Sequence, residues 1–401
     1  MEETHVVTCF LRNGAEVLLL RRSDAVGSYS GLWGTVAGHA EGRPEDQAWT
    51  EIDEETGLAD ACERVRAGEP FSVDDDERGT RWVVHPFLFD CARRDVAPNE
   101  ETEAWEWAPP TELLRRETVP DLWRSYDAVR PTVESIESDG EHGSAYLSVR
   151  ALEVLRDEAA LAVERGDSSD LEALAGRLRS ARPGMAALWN RVGRVEGAAP
   201  DETEAAAERE LERALAADSE AAAEAADMLE GERVVTCSRS GTVREALLAG
   251  DPDAVLVIES RPGGEGTGVA ESLAESLDVT LTSDAAGPGF LTEWDADCLL
   301  VGADTVLESA VANKVGTYPL ALAAERARIP VTVVCADDKI APAGWSFEAG
   351  TAPGIYGGDA DLTVESPLFE RVPLELVSEV VTEDGALSAL DVERRAARRG
   401  E

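Results

Sequence analysis

Glu51, Glu54 and Glu55 stand at i, i+3 and i+4 in the run Thr50-Glu51-Ile52-Asp53-Glu54-Glu55-Thr56-Gly57. On an α-helix such residues share one face, and their side chains lean toward the preceding turn. Three carboxylates converging there repel one another unless a cation sits among them. Mg²⁺ suits such a cluster, because it takes oxygen ligands octahedrally and keeps waters that substrate phosphates can replace. A solvated acidic face is the alternative meaning of the same spacing. Gly57 is placed to end the helix, which the pattern predicts from about Glu45 to Glu55.

A second set of residues lies farther along the chain. Arg182, Arg261 and Lys314 are cations beside glycines or helix starts and could clamp a phosphate, arginine through its bidentate fork. Ser238–Thr242, with Ser240 at its centre, follows a strand and opens a helix whose free N–H groups attract anions. Asp304 stands at the carboxyl end of a strand, a suitable place for a general acid or base. Each also has an ordinary explanation: a helix cap for Ser240 or Asp304, an ion pair for Arg182.

The elements that must position these residues fall into three stretches. His5–Leu11 and Glu16–Leu20 read as strands joined by an Asn13-Gly14 turn. The helix with the three glutamates follows a Gly-rich stretch. Strands are predicted at Arg81–Phe89 and Trp105–Ala108, and a helix at TELLRRET (111–118). Residues 133 to about 230 read as helical, with Glu202–Glu230 an Ala/Glu helix carrying an apolar stripe through Leu211, Leu215, Ala222 and Met228. From Arg233 onward, near-continuous apolar strands (RVVTC, AVLVIES, VTLTS, CLLVGAD, VTVVCAD) alternate with helical stretches. That alternation predicts a parallel sheet covered on both faces, with ligands at the carboxyl ends of the strands.

At 401 residues, two or three domains are expected. Acidic residues number 81 against 37 basic ones, a net charge of −44, and only Lys314 and Lys339 are lysines. Such a surface repels nucleic acid and suits concentrated salt, where the screening length falls to about 3 Å at 1 M. A halophile-like cytoplasm is the expectation. The six cysteines form no CxxC pair, which argues against a disulfide framework or a zinc site. No signal peptide and no membrane span are expected.

The segment Pro44–Leu58 resembles the Nudix box, whose helix ends in R-E-aliphatic-x-E-E-x-G-aliphatic. Glu51, Ile52, Glu54, Glu55, Gly57 and Leu58 match, and Thr50 replaces the arginine that normally orients the catalytic glutamate. GLWGTVAGHAEG (31–42) resembles the stretch before the box, and NEETEAWEWAPPTEL (99–113) the later stretch that supplies another glutamate. The loop between Gly38 and Pro44 is about two residues short, with Gly42 at the box's first glutamate and Glu41 beside it. The resemblance implies an α/β/α sandwich with a mixed sheet over residues 1–130. It implies Mg²⁺ or Mn²⁺ held by Glu51, Glu54, Glu55, the Gly38 carbonyl and Glu101, with Glu100 and Glu103 as rivals. Glu51 and Glu54 would be catalytic. The implied substrate is a nucleoside diphosphate linked to another group.

The stretches EHGSAYLSVRALEVLR (141–156), ARPGMAALWNRV (181–192), VVTCSRSGTV (234–243), VIESRPGGEG (257–266) and LLVGADTVLESAVANKVGTYPLALAA (299–324) together resemble one superfamily. It contains the regulatory subunits of translation initiation factor 2B, ribose-1,5-bisphosphate isomerase and methylthioribose-1-phosphate isomerase. The resemblance implies a helical part over 131–230 and a Rossmann-like parallel sheet over 231–401, and association into at least a homodimer. The isomerases use a cysteine in a T-H-C-like turn and the aspartate of GAD. Here the aspartate is Asp304, the cysteine position falls on Ser238, and Cys237 takes the histidine's place. Gly143, Arg182, Ser240, Arg261, Asn313 and Lys314 would bind the phosphorylated ligand. Serine at the cysteine position favours a module that binds a phosphorylated sugar or nucleotide over an isomerase. A non-enzymatic assembly protein is the third possibility.

Overall fold

The computed structural model describes residues 2–40, 42–166, 170–195, 199–351, 355–358 and 360–400. They fall into two compact units. The first is Met1–Ser135 with Glu153–Leu171 and Gly197–Glu208; the second is Ile136–Leu152 with Glu172–Glu196 and Arg209–Glu401.

In the first unit the chain forms β1 (Glu2–Asn13), β2 (Glu16–Arg22), β3 (Trp33–Gly34), β4 (Val36–His39), α1 (Pro44–Thr56), β5 (Cys62–Ala67), β6 (Phe71–Asp75), β7 (Thr80–Cys91), β8 (Thr102–Ala108) and α2 (Leu122–Asp127). The sheet runs β3-β2-β1-β7-β5, with β4 also on β1, β6 on β7 and β8 on β2. β1 and β7 are parallel and the other pairs antiparallel, so the sheet is mixed. Strand periodicity assigns the two faces. Val7, Cys9, Leu11, Leu18, Leu20, Phe87 and Phe89 pack against Ala48 and Ile52 of α1. The intervening Phe10, Val17, Leu19 and Leu88 pack against Leu122 and Tyr126 of α2. One helix therefore covers each face, as the sandwich requires. Pro44 opens α1 and acidic Glu45 and Asp46 sit in its first turn. Gly57 closes it at φ 66°, its N–H bonded to the Asp53 carbonyl.

The helix expected at TELLRRET is instead a 3₁₀ turn over Pro110–Leu114. Its bonds run Glu112 to Pro109 and Arg115 to Glu112, and Arg115 and Arg116 reach out to the Glu204 and Glu106 carboxylates. So short a segment gains too little from helix propagation to offset nucleation.

The helical stretch comprises α3 (Val133–Ser138), α4 (Ser144–Arg165), α5 (Leu171–Ala181), α6 (Ala186–Gly193) and α7 (Pro200–Ala226). Residues of α4 from Glu153 onward belong to the first unit, through buried ionic contacts. Arg12 reaches Glu153 at 3.3 Å. Arg156 donates to the Ala15 carbonyl at 2.7 Å, and the Tyr126 hydroxyl reaches Asp157 at 3.2 Å.

The second unit continues with β9 (Arg233–Cys237), α8 (Gly241–Gly250), β10 (Ala254–Ile258), α9 (Glu265–Ala274), β11 (Val279–Thr282), α10 (Gly287–Glu293), β12 (Cys298–Val301), β13 (Thr305–Val306), β14 (Ala310–Lys314), α11 (Thr317–Ala327), β15 (Val331–Val334), β16 (Phe369–Pro373), β17 (Glu379–Thr382), β18 (Gly385–Leu387) and α12 (Ala389–Gly400). The main sheet is ordered β11-β10-β9-β12-β15-β17-β18, parallel except for β18, and β13-β14-β16 form a small separate sheet. All five residues of β10 are buried, because both faces are covered. Leu256 and Leu299 point to the side packed by Leu320 of α11 and Val392 of α12. Val255 and Leu300 point to the side packed by Ala246 of α8 and Leu273 of α9. Among the described residues no helix is long and apolar enough to cross a membrane.

Candidate active sites

In the first unit, β4, α1 and the residue before β8 bring Gly38, Glu51, Glu54 and Glu101 to one cavity of about 640 Å³. Gly38 lets the Glu51 carboxylate occupy the space that a Cβ there would take, so that any other residue would displace it. Glu51 therefore lies directly against the β4 backbone. Gln47, one turn earlier on α1, donates to Glu51 Oε1 at 2.8 Å. Thr50, in the arginine's place, turns its hydroxyl to the Asp46 carbonyl at 3.2 Å. Gln47 thus supplies a donor to the glutamate that the box would normally assign to arginine. The i, i+4 spacing to Glu51 was a readable signal for it.

Burial raises the Glu51 carboxyl pKa, Gln47 opposes this, and the Glu54 and Glu101 charges add to the rise. Glu55 does not line the cavity. It is 7% exposed and accepts the Ala37 N–H at 3.2 Å. Its burial, with the nearby Glu51 charge, carries the carboxyl up to about 8 despite that bond. Glu41 lies outside the described residues.

Among the described residues no three His, Cys, Asp or Glu side chains are already gathered as a metal would hold them. The donor chemistry nevertheless fits a hard divalent cation. Glu51, Glu54 and Glu101 are all oxygen donors on one cavity, and the neighbouring charges make Glu51 harder to ionise in the cation's absence.

In the second unit the strand order reverses between β9 and β12, the point at which an open α/β sheet leaves a ligand crevice. A cavity of about 860 Å³ lies there, lined by Gly143, Cys237, Ser238, Ser240, Asp304 and Asn313 of the expected set. The turn after β9 is tightly held. Ser238 adopts φ 65° and donates its N–H to Ser260 Oγ at 2.6 Å. Ser240 caps α8 by accepting the Val243 N–H at 3.3 Å. Gly302 lets β12 approach that cap, since a Cβ would meet Ser240 Oγ at 2.7 Å.

Cys237 is buried with Sγ 3.5 Å from Thr317 Oγ1, and burial pushes its thiol up to about 11. Asp304 is partly buried; burial raises its carboxyl pKa, while Lys339 and Lys314 hold it down. The pair therefore offers a protonated thiol and a carboxyl that burial makes harder to ionise, against the pull of two nearby ammonium groups.

Lys339 lines the same cavity and was not singled out from the sequence. Its Nζ donates to the Ala303 carbonyl at 2.8 Å. The turn carrying it is pinned by arginines: Asp338 accepts from Arg191 at 2.8 Å and from Arg194 and Arg213 at 2.6 Å, and Asp337 pairs with Arg395 and Arg399. The rarity of lysine that drew attention to Lys314 applies equally to Lys339. Arg239 and Arg244 also face the cavity.

Three expected phosphate clamps do not line it. Arg182 donates to the Ile136 carbonyl at 2.8 Å, Arg261 pairs with Glu259 at 3.1 Å, and Lys314 is buried against Glu265 at 2.6 Å. Lys314 acts on the site through its charge alone.

The sequence model of the initiation factor 2 subunit family matches residues 140–389, more than half the chain. The chain belongs to that family. The NUDIX domain model matches residues 3–129, so a family member here carries an N-terminal NUDIX domain, which supports a hydrolase. The family part is similar to the ribose 1,5-bisphosphate isomerase of Haloterrigena turkmenica, 31% identical over 298 residues, covering 64% of this chain and 89% of that protein. It is also similar to a methylthioribose-1-phosphate isomerase of Albidiferax ferrireducens, 32% identical over 161 residues, but there the match spans 37% of this chain and only 46% of that protein. Among solved structures, the translation initiation factor eIF-2B of Pyrococcus horikoshii superposes with a TM-score of 0.57 at 27% identity, covering 64% of this chain and 94% of that one. The mixed α/β architecture of the family is thus the one observed.

Proposed function

We propose that the first unit is a divalent-metal-dependent hydrolase of a nucleoside-diphosphate-linked compound, and that the second unit binds a phosphorylated sugar or nucleotide. The observation that carries the hydrolase reading is the Gly38–Glu51 cradle, with Glu54 and Glu101 on the same cavity. Glu51, Glu54, Glu101 and the Gly38 carbonyl would hold Mg²⁺ or Mn²⁺, with Glu55 buried behind them. The bound metal would activate water and neutralise charge on a pyrophosphate. Glu51, oriented by Gln47, would accept the proton of the attacking water at its carboxylate.

In the second unit, Lys339, Arg239, Arg244 and the N-terminus of α8 bring groups that could pair with a phosphate to a cavity that Asp218, Glu245 and Asp304 also line. A second reading is favoured by one observation: Cys237 and Asp304 line the same cavity. They could interconvert a ribose 1-phosphate and its ketose: Asp304 would take the C2 proton and return it to C1, while the Cys237 thiol would protonate the opening ring oxygen and recover the 2-hydroxyl proton. This isomerisation changes no atom count. It would parallel the relatives whose names denote ribose 1,5-bisphosphate isomerases. We further expect Mg²⁺ or Mn²⁺ as cofactor, a salt-rich cytoplasm, and at least a homodimer formed through the second unit.

The test is product analysis for a panel of nucleoside-diphosphate compounds in molar KCl with Mg²⁺ or Mn²⁺. A coupled phosphatase converts the phosphomonoester products to phosphate, and ribose bisphosphate isomers are followed separately. Metal-dependent cleavage that disappears in Glu54→Gln supports the hydrolase. Absence of cleavage of every compound by the wild type rejects this substrate class.

A further inference from the structure

Nothing in the spacing of the cysteines pairs Cys62 with Cys91, but the sheet of the first unit does. β5 and β7 run antiparallel, and Cys62 faces Cys91 directly. One residue outside the pair, the Ala92 N–H donates to the Ala61 carbonyl at 2.8 Å. That bond places Cys62 and Cys91 at a non-hydrogen-bonded position, where facing Cα atoms lie about 4.5 Å apart and side chains come closest. A disulfide spans Cα separations of about 4.4–6.8 Å. The two Sγ atoms lie 3.1 Å apart, and both thiols are free.

The pair is also chemically distinct from the other cysteines. Burial pushes up the thiols of Cys9, Cys237, Cys298 and Cys335. Here the contact splits the two: Cys91 accepts the Cys62 S–H and is drawn down against the effect of its own burial, while Cys62, the donor, is raised by the same contact and by burial. Cys91 is thus the member of the pair that ionises first. Cys62 is only half-buried, so an outside reagent can reach the pair.

We propose that Cys62 and Cys91 form a reversible disulfide site whose oxidant is a low-molecular-weight disulfide. The pair gives up two protons and two electrons as the Sγ–Sγ bond forms, and the small disulfide is reduced to two thiols. The new bond would tie β5 to β7 directly after the short turn Ala59–Ala61 that follows α1. The oxidised chain therefore has a covalent anchor close behind the helix that carries Glu51 and Glu54. This site stands whatever substrate the cavity takes.

The experiment treats the full chain with glutathione disulfide, quenches it in acid, alkylates the remaining thiols and maps the peptides with and without dithiothreitol. The expected result is a Cys62–Cys91 cross-linked peptide that dithiothreitol removes, with Cys298 alkylated throughout. The unfolding midpoint of the oxidised protein should rise by a few degrees. Cys62→Ser and Cys91→Ser, checked for native circular dichroism, should each abolish the link; if either fails to fold, the wild-type map alone decides. Full alkylation of both residues after oxidation, or oxidation that stops at a mixed disulfide with glutathione, overturns the proposal.

Discussion

In the cavity beside α1, three carboxylates line one space, and burial, with the neighbouring Glu54 and Glu101 charges, raises the pKa of Glu51. In the cavity at β9 and β12, Lys339 and two arginines stand among the carboxylates of Asp218, Glu245 and Asp304, and burial drives Asp304 and the Cys237 thiol toward their neutral forms. The first arrangement calls for a cation to meet a phosphate; the second carries cations of its own. Both use the same backbone device. A glycine lets a strand press against a working side chain, Gly38 under Glu51 and Gly302 under Ser240. The difference teaches that the groups each cavity offers a phosphate, more than cavity size, separate the two chemistries in this chain.

The sharpest way to break the comparison is to neutralise one site and read both. Glu54→Gln should lower metal-dependent hydrolysis by about 10³-fold or more, within the range for loss of metal-assisted water activation, and leave sugar-phosphate binding unchanged. A hydrolysis assay beside a calorimetric titration with ribose bisphosphate checks both halves. In the other direction, on the isomerase reading, Asp304→Asn should cost isomer interconversion about 10²–10⁴-fold, the usual contribution of a general acid–base group, with hydrolysis intact. Cys237→Ala should match that loss and Ser238→Ala should not. A larger loss at Ser238 would move the catalytic position by one residue.

Smaller effects refine the picture. Lys339→Met should weaken phosphate-ligand binding by about 10–100-fold, as loss of a charge-assisted bond does, measured by calorimetry. Gln47→Leu should lower kcat for hydrolysis by about tenfold through the lost bond to Glu51, with Mn²⁺ affinity changing less. An unchanged kcat would remove Gln47 from its orienting role.

The smallest expected effect concerns stability. Burial raises the Glu383 carboxyl to about 7 from an ordinary 4.5, with the Asp337 and Asp338 charges adding to the rise. A raised carboxyl pKa stabilises the fold fully below 4.5, and that contribution is lost as pH rises through 7. Glu383→Gln should therefore gain stability relative to wild type between pH 5 and 8, as thermal melts across that window would show. A constant difference across the window contradicts this assignment.

The glutamates were legible because their spacing is local: i, i+3 and i+4 on a helix that Pro44 and Gly57 delimit. The inward turn of Glu55 was not, since it depends on the Ala37 N–H of a strand that packs there only in the fold. The strands from Arg233 onward were legible because each is an unbroken apolar run, and the switch point follows from their order. The phosphate clamps were read less well. With 81 acidic residues against 37 basic ones, most cations find a nearby carboxylate, as Arg261 and Lys314 do. Position 339 carries a rare residue type in a turn, and its place at the cavity depends on contacts distant in sequence: the Ala303 carbonyl for its ammonium and the arginines that hold Asp338 beside it. The Cys62–Cys91 pairing depends on strand register, which residue spacing does not encode.

The most direct test of the two-site account is a Mn²⁺ titration in molar KCl of the wild type, Glu54→Gln and Lys339→Met. The account predicts binding in the wild type, the same binding in Lys339→Met, and a loss of at least tenfold in Glu54→Gln. Equal Mn²⁺ affinity in all three proteins, or no binding in the wild type, would contradict it.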